Sequence, residues 1–270
     1  FYSPKSVPAN ATITMKPNTR DDQYNNAVWR HEYGHHVDYT MGEGLQAHDV
    51  DGRVHCGSHF DAPALERDAE ALIQGTIGVK KILTSQRPSG KIEARMHAEF
   101  DAARATDPDR PRTFILMDMF KQAGFDPKEM HEVLGPQAEN KHSVIAILAA
   151  IEAKDVDGTM SILPDDRGTM GCLEDFWGAI TNRRMTYFSG HTAEYYAGGY
   201  ATQAPTLTSS NTTEAYANWF CLQAAPQRFF AQLLEKLAPN THKAFQTRTN
   251  RWLRGEPGTD GRTAARGGRG

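Results

Sequence analysis

The rhythm of apolar and polar positions changes near residue 18. Residues 11–17, "ATITMKP", alternate and end at a proline, which predicts a strand, and the proline puts that strand at a sheet edge. In "NTRDDQYNNAVWRHEYGHHVDYTM" the spacing turns helical: Thr19 with Asp22 resembles a capping pair, and Ala27, Val28, His31, His35 and Tyr39 share a broad face. Residues 42–61 have no period and many turn formers, which predicts a loop. Helical spacing resumes over 63–84 and 90–105 and, past the break at "DPDRPR", over 112–123, 127–134 and 140–153. The last of these, "NKHSVIAILAAIEA", is apolar enough for a core helix. The stretch "KDVDGTMSILPDDRGTM" reads as turns, and Met160 stands where a calcium loop starting at Asp155 needs glycine. A short helix over 172–180, an irregular tyrosine-rich stretch, and helices over 212–225, 227–237 and 241–253 complete the pattern. The expectation is an α+β fold, mostly helical, with a small mixed sheet whose edge strand precedes the histidine-bearing helix. One domain is expected over 1–253, with 60–170 as a helical portion or subdomain and 254–270 as a flexible tail or linker stub.

Composition removes several function classes. The chain has 270 residues with 39% hydrophobic and 23% charged, which fits a soluble globular class, and no run approaches the ~20 apolar residues of a membrane span. Lys+Arg 30 against Asp+Glu 33 leaves a formal net charge of -3, so no overall positive field holds nucleic acid, and only the tail is basic. The three cysteines, Cys56, Cys172 and Cys221, are widely spaced and odd in number, which argues against a disulfide framework and is compatible with a reducing compartment. The chain opens on Phe1 and "FYSPKSVPAN" has neither the basic start nor the apolar centre of a secretion signal, so it reads as a fragment or processed product.

The chemistry concentrates in "AVWRHEYGHHVDY". Residues four apart lie one helical turn apart on one face, so His31 and His35 can offer ring nitrogens to one tetrahedral ion. Glu32, about 100 degrees round the helix from His31, stands beside such an ion, where it can take a proton from an activated water. This H-E-x-x-H pattern sits between apolar flanks and follows a predicted strand. Two imidazoles and a carboxylate suit zinc, and ligand type alone equally admits iron, cobalt or manganese. His36 leaves the His31/His35 face, so a packing or supporting role is expected for it. Gly34 costs ~1 kcal/mol in a helix interior, which close approach of another backbone would explain. Asp38 is placed either to accept a ring hydrogen from His35 or to face solvent or Arg30.

A catalytic zinc needs a third protein ligand. The H-E-x-x-H-x-x-G-x-x-H arrangement fails, because Asp38 and Met41 stand where glycine and histidine are required. His48, His55 and His59 lie on the predicted loop, where "HCGSH" finds no matching second pair. Glu66 and Glu70 are the local carboxylate candidates. Farther away, Glu214 opens a helix with an apolar face of Tyr216, Ala217, Phe220, Cys221 and Ala224. Asn211 and Glu214 also form a capping-box spacing, so both a ligand and an exposed cap remain open on spacing alone.

"HEYGHHVD" resembles the glutamate-ligated zinc metallopeptidases, the gluzincins, and is similar to their anthrax lethal factor type, in which an E-x-[FY]-A-[EN] helix supplies the third ligand. Here that pattern is Glu214, Ala215, Tyr216, Ala217 and Asn218. The resemblance implies a zincin-like fold, His31, His35 and Glu214 as ligands of Zn2+, Glu32 as general base and peptide-bond hydrolysis. Asn218 replaces the acidic residue often found at its position and can orient a ligand without adding charge. "DFWGAITNRRMTYFSGHTAEYYAGG" in turn resembles the metallopeptidase domains of Mu-type phage minor head proteins through Gly190, His191, Tyr195 and Tyr196. Together the two resemblances touch roughly fifty residues and leave 60–170 unaccounted for.

The lethal-factor resemblance also implies a tyrosine ahead of the glutamate helix as oxyanion donor, and here Tyr200 is placed in that role ahead of Tyr196 and His191, with Tyr195 read as packing. The implied partners are a protein or peptide substrate and, on the phage side, phage structural proteins, with no membrane and no nucleic acid. A virion, the host cytoplasm and secretion all stay open as locations. The competing readings are a structural phage head or virion protein carrying an auxiliary protease-like domain, and a zinc hydrolase of a non-peptide substrate.

Overall fold

The computed structural model describes residues 2–3, 12–13, 22–44, 57–77, 88–164, 168–181 and 209–256. Two-residue strands β1 (Tyr2–Ser3) and β2 (Thr12–Ile13) pair antiparallel. Eleven helices follow among the described residues: α1 (Asp22–Gly44), α2 (Ala62–Ile77), α3 (Pro88–Thr106), α4 (Arg112–Gln122), α5 (Met130–Leu134) and α6 (Lys141–Glu152), then α7 (Val156–Met160), α8 (Thr169–Ile180), α9 (Ser209–Gln223), α10 (Arg228–Leu237) and α11 (Pro239–Leu253). This overturns the α+β expectation. Among the described residues there is no mixed sheet, only a minimal antiparallel pairing of two residues a side. Alternation in "ATITMKP" satisfies one strand locally but supplies no further strands for a layer, and the buried surface belongs to helices.

Three other expectations change. The span read as turns after Lys154 contains α7, whose first turn is capped by Asp155 accepting from the backbone N–H of Gly158 at 2.9 Å. Residues 57–61, read as loop, form a 3-10 turn. The helix expected from 212 begins at Ser209, which puts Asn211 inside it, where its side-chain amide donates to the Ala179 carbonyl of α8 at 3.0 Å. Asn211 therefore bridges two helices and is not the opening residue of a capping box.

Buried apolar side chains form one contiguous core reaching from Ala27 in α1 to Phe245 in α11. As its composition suggests, α6 lies within it, burying Val144, Ile145, Ile147 and Leu148 among others, and packs against α3, α4, α7 and α10. Phe229 of α10 stacks on Phe120 with ring centroids 5.8 Å apart, joining α4 to the C-terminal helices. Helix α9 sits against α1 and α8.

Remote acids satisfy two helix starts. Glu129 accepts from the N–H groups of Arg228 and Phe229 at 2.8 and 2.7 Å, and Asp68 of α2 accepts from those of Asn240 and Thr241 at 3.3 and 2.6 Å. Asp61 at the end of the 3-10 turn takes two hydrogen bonds from the guanidinium of Arg248 in α11, at 2.8 and 3.0 Å. These ties fix the turn and α11 around the helices that carry the site.

Candidate metal centre

α1 and α9 cross so closely that glycine is required at the contact. A Cβ built on Gly34 would lie 2.9 Å from Ala217 Cα and 3.0 Å from its carbonyl oxygen. Real Cβ contacts do not come that close to backbone, so any larger residue must push the helices apart. Gly34 lies between His31 and His35 in sequence, and Ala217 lies three residues after Glu214. The close crossing therefore brings a two-histidine face of α1 onto the acid of α9.

The result is a triangle of donors. His31 Nε2 and His35 Nε2 are 3.1 Å apart, His31 Nε2 is 3.4 Å from Glu214 Oε2, and His35 Nε2 is 3.2 Å from Glu214 Oε1. A tetrahedral ion with ligand bonds of ~2.0–2.1 Å has donor-to-donor edges of about 3.3–3.4 Å. All three observed edges approach that value. Among the described residues, these three side chains form the one group of histidine, cysteine and acidic donors gathered for an ion. Glu214 is 1% exposed and His35 is 8% exposed, so the carboxylate is no surface cap.

The far side of each ring is tied back. Asn218 donates from Nδ2 to the carbonyl of Glu214 at 2.9 Å, which turns its Oδ1 toward His31 Nδ1, also at 2.9 Å. A carbonyl oxygen can only accept, so His31 carries a hydrogen on Nδ1, and Nε2 is the nitrogen that faces the triangle. Asn218 thus fixes the orientation of the His31 ring.

His35 is held through an intermediary. Its Nδ1 lies 3.4 Å from the hydroxyl oxygen of Thr213, and that hydroxyl is hydrogen-bonded to Asp38. Asp38 also accepts from the backbone N–H and the hydroxyl of Ser58, at 2.7 and 2.6 Å, and is fully buried. Asp38 therefore does not take a hydrogen from the His35 ring, as one expectation had it, but stands behind Thr213. Gly57 makes the turn possible, since a Cβ there would sit 2.8 Å from Met41 Cβ.

The charges follow from this packing. Burial works against a charge on His31, yet the hydrogen bond and charge of Glu214, aided by Glu32, push its pKa up to about 9. Burial also favours the neutral form of Glu214, but His35 and His31 hold it well below the usual carboxylate range. Two Nε2 atoms 3.1 Å apart need either a proton or a cation between them, and a carboxylate completes the demand. Asp38 is pushed up to about 6 by burial, despite the bonds from Ser58 and Thr213 and the nearby His35.

The remaining candidates fall into place around the triangle. Glu32 is half-buried on α1 and acts electrostatically on His31. His36 points elsewhere, with its ring 5.7 Å from that of Tyr33. Glu66 and Glu70 are exposed on α2, and Glu70 accepts from Gln74 at 3.1 Å, so neither reaches the site. Tyr195, Tyr196, Tyr200, His191, His48, His55 and the side chain of His59 lie outside the described residues. Sequence reading missed Thr213 and Ser58, because no spacing rule links a hydroxyl to a histidine 178 positions away.

No protein-family model matches the chain, and neither does any curated protein or solved structure it was compared with.

Proposed function

We propose that this chain is a zinc-dependent endopeptidase of gluzincin type. The observation that carries the reading is the donor triangle, whose edges of 3.1, 3.2 and 3.4 Å suit tetrahedral zinc and leave one position for a reactant. Zinc, when held by His31, His35 and Glu214, supplies Lewis-acid polarisation of a carbonyl and acidifies water. Glu32 accepts the proton of the attacking water and returns it to the leaving amine. Its place one residue after a ligand, on the same helix, supports that role. Asn218 and the Thr213–Asp38 pair keep the two imidazoles aimed while charge develops. Tyr200, chosen over Tyr196 and His191 for its nearness in sequence to α9, donates to the oxyanion. The motif from Gly190 to Tyr196 supports a phage-associated role, with structural phage proteins as partners beside a protein or peptide substrate.

The test compares metal content and peptide cleavage for wild type, E32A and E214A. E32A keeps zinc and loses turnover, whereas E214A loses much of both. Full metal affinity and activity in E214A would sink the ligand assignment. Zinc-loaded wild type that cleaves no peptide in a broad library would leave hydrolysis of another substrate class in place of the peptidase reading.

A further inference from the structure

Beside the donor triangle, and outside its chemistry, two thiols meet. Cys172 of α8 and Cys221 of α9 are separated by 49 positions in sequence, yet their sulfurs are 2.9 Å apart in the core. That is under an ångström beyond the ~2.05 Å of a disulfide bond. Cys172 is 7% exposed and Cys221 is fully buried, so neither can turn away into solvent, and a protein thiol or an enzyme cannot reach them. A water-sized oxidant is the reagent that fits such access.

We propose that Cys172 and Cys221 form a modification site, a dithiol that hydrogen peroxide converts reversibly to a disulfide joining α8 to the ligand-bearing helix α9. Cys221 is the attacking sulfur. It accepts the thiol hydrogen of Cys172 and lies beside the Arg30 guanidinium, and these influences outweigh burial to hold its pKa below the ordinary thiol value. Its thiolate attacks one peroxide oxygen, the O–O bond breaks, and the departing hydroxide leaves as water with the proton that Cys221 gave up. The sulfur of Cys172 then attacks the sulfenic sulfur, and its proton leaves with the expelled hydroxide as a second water. Two thiols lose two electrons, and one peroxide gains them. The reverse reaction needs a dithiol reductant and an opening of the core that admits it.

The bond would act close to the metal donors. Glu214, Asn218 and Cys221 follow one another at four and three positions along α9, hence on one face. Cys221 also approaches the carbonyl of Ala27 at 3.4 Å, one turn before His31 on α1. Closing a loop of 49 positions restricts the unfolded chain, so the oxidised protein should unfold at a higher temperature by several degrees.

The experiment uses the full chain carrying Cys56→Ser, which leaves only this pair. After treatment with peroxide, the expected results are loss of both free thiols, a mass lower by two hydrogens, a cross-linked peptide containing Cys172 and Cys221, and full reversal by dithiothreitol once denaturant opens the core. Cys221→Ser in the same background keeps one free thiol and gains no intramolecular bond. Thiols that persist under peroxide, or that advance to sulfinic acid without cross-linking, overturn the proposal. If C221S does not fold, the Cys56→Ser protein alone decides. Because thiol state is read without substrate, the outcome is independent of the peptidase reading.

Discussion

Gly34 and Ala217 touch backbone to backbone, with only 2.9 Å between Ala217 Cα and the place a methyl group on residue 34 would occupy. This contact is the pivot of the site, since the ligands of both helices lie within one turn of it. Gly34→Ala gains ~1 kcal/mol of helix propensity but meets an overpacking cost of about 1–3 kcal/mol. The expected outcome is a protein of equal or lower thermal stability whose zinc affinity, read by competition with a chelator, falls at least tenfold. Unchanged affinity together with a raised melting temperature would show that the close crossing does not set the donor spacing.

Asn218 makes a separate prediction, because it aims His31 without being a ligand. Asn218→Ala removes the acceptor for the Nδ1 hydrogen, and loss of such a partner weakens metal binding by about 10–100-fold. Asn218→Asp restores an acceptor and binds zinc within about tenfold of wild type. Zinc titrations of both variants check this, and equal affinity for wild type and Asn218→Ala would remove Asn218 from the site.

Zinc binding should release a proton. His31 in the metal-free protein titrates at about 9, above its ordinary 6.5, and must lose that proton before its lone pair can bind. Apparent affinity therefore rises with pH, by about tenfold per unit below that value, which calorimetry in buffers of different ionisation enthalpy would detect.

The same shifts set the pH dependence of folding without metal. His31 is raised, so its contribution is complete below 6.5 and is lost as pH climbs through about 9. Glu214 is depressed, so its contribution is present above 4.5 and is lost as pH falls through its folded-state value. Denaturant melts of metal-free protein should peak between those limits. A stability that is flat from pH 6 to 9 would contradict the His31–Glu214 coupling.

Ser58 and Asp38 test the support of His35. Asp38→Ala strands the buried N–H of Ser58 and the hydroxyl of Thr213, at a cost of about 1–3 kcal/mol each, so it should destabilise far more than Ser58→Ala, which removes one bond worth about 1 kcal/mol. Equilibrium unfolding orders the two. Equal stabilities would mean that Asp38 is not the hub of this network.

The two-histidine face was legible because helical spacing alone places His31 and His35 together, and Gly34 announced a close neighbour by its cost. Glu214 was not legible in that way. With Asn211 three residues before it, local spacing described a cap as well as a ligand, and the earlier helix start at Ser209, the bond from Asn211 to Ala179 and the burial of Glu214 rule out the exposed cap. The sheet was misread because "ATITMKP" alternates without any partner that spacing can supply. Cys172 and Cys221 looked unrelated for the complementary reason, that packing joins what distance along the chain conceals. The Ser58–Asp38 bond hides similarly, since residues 57–61 have no period to read.

The donors at positions 31 and 35 are made well before the third, at position 214. A nascent chain thus displays two of the donors for a long interval before the third is added. An ion held by all three donors would therefore report that α1 and α9 have already met.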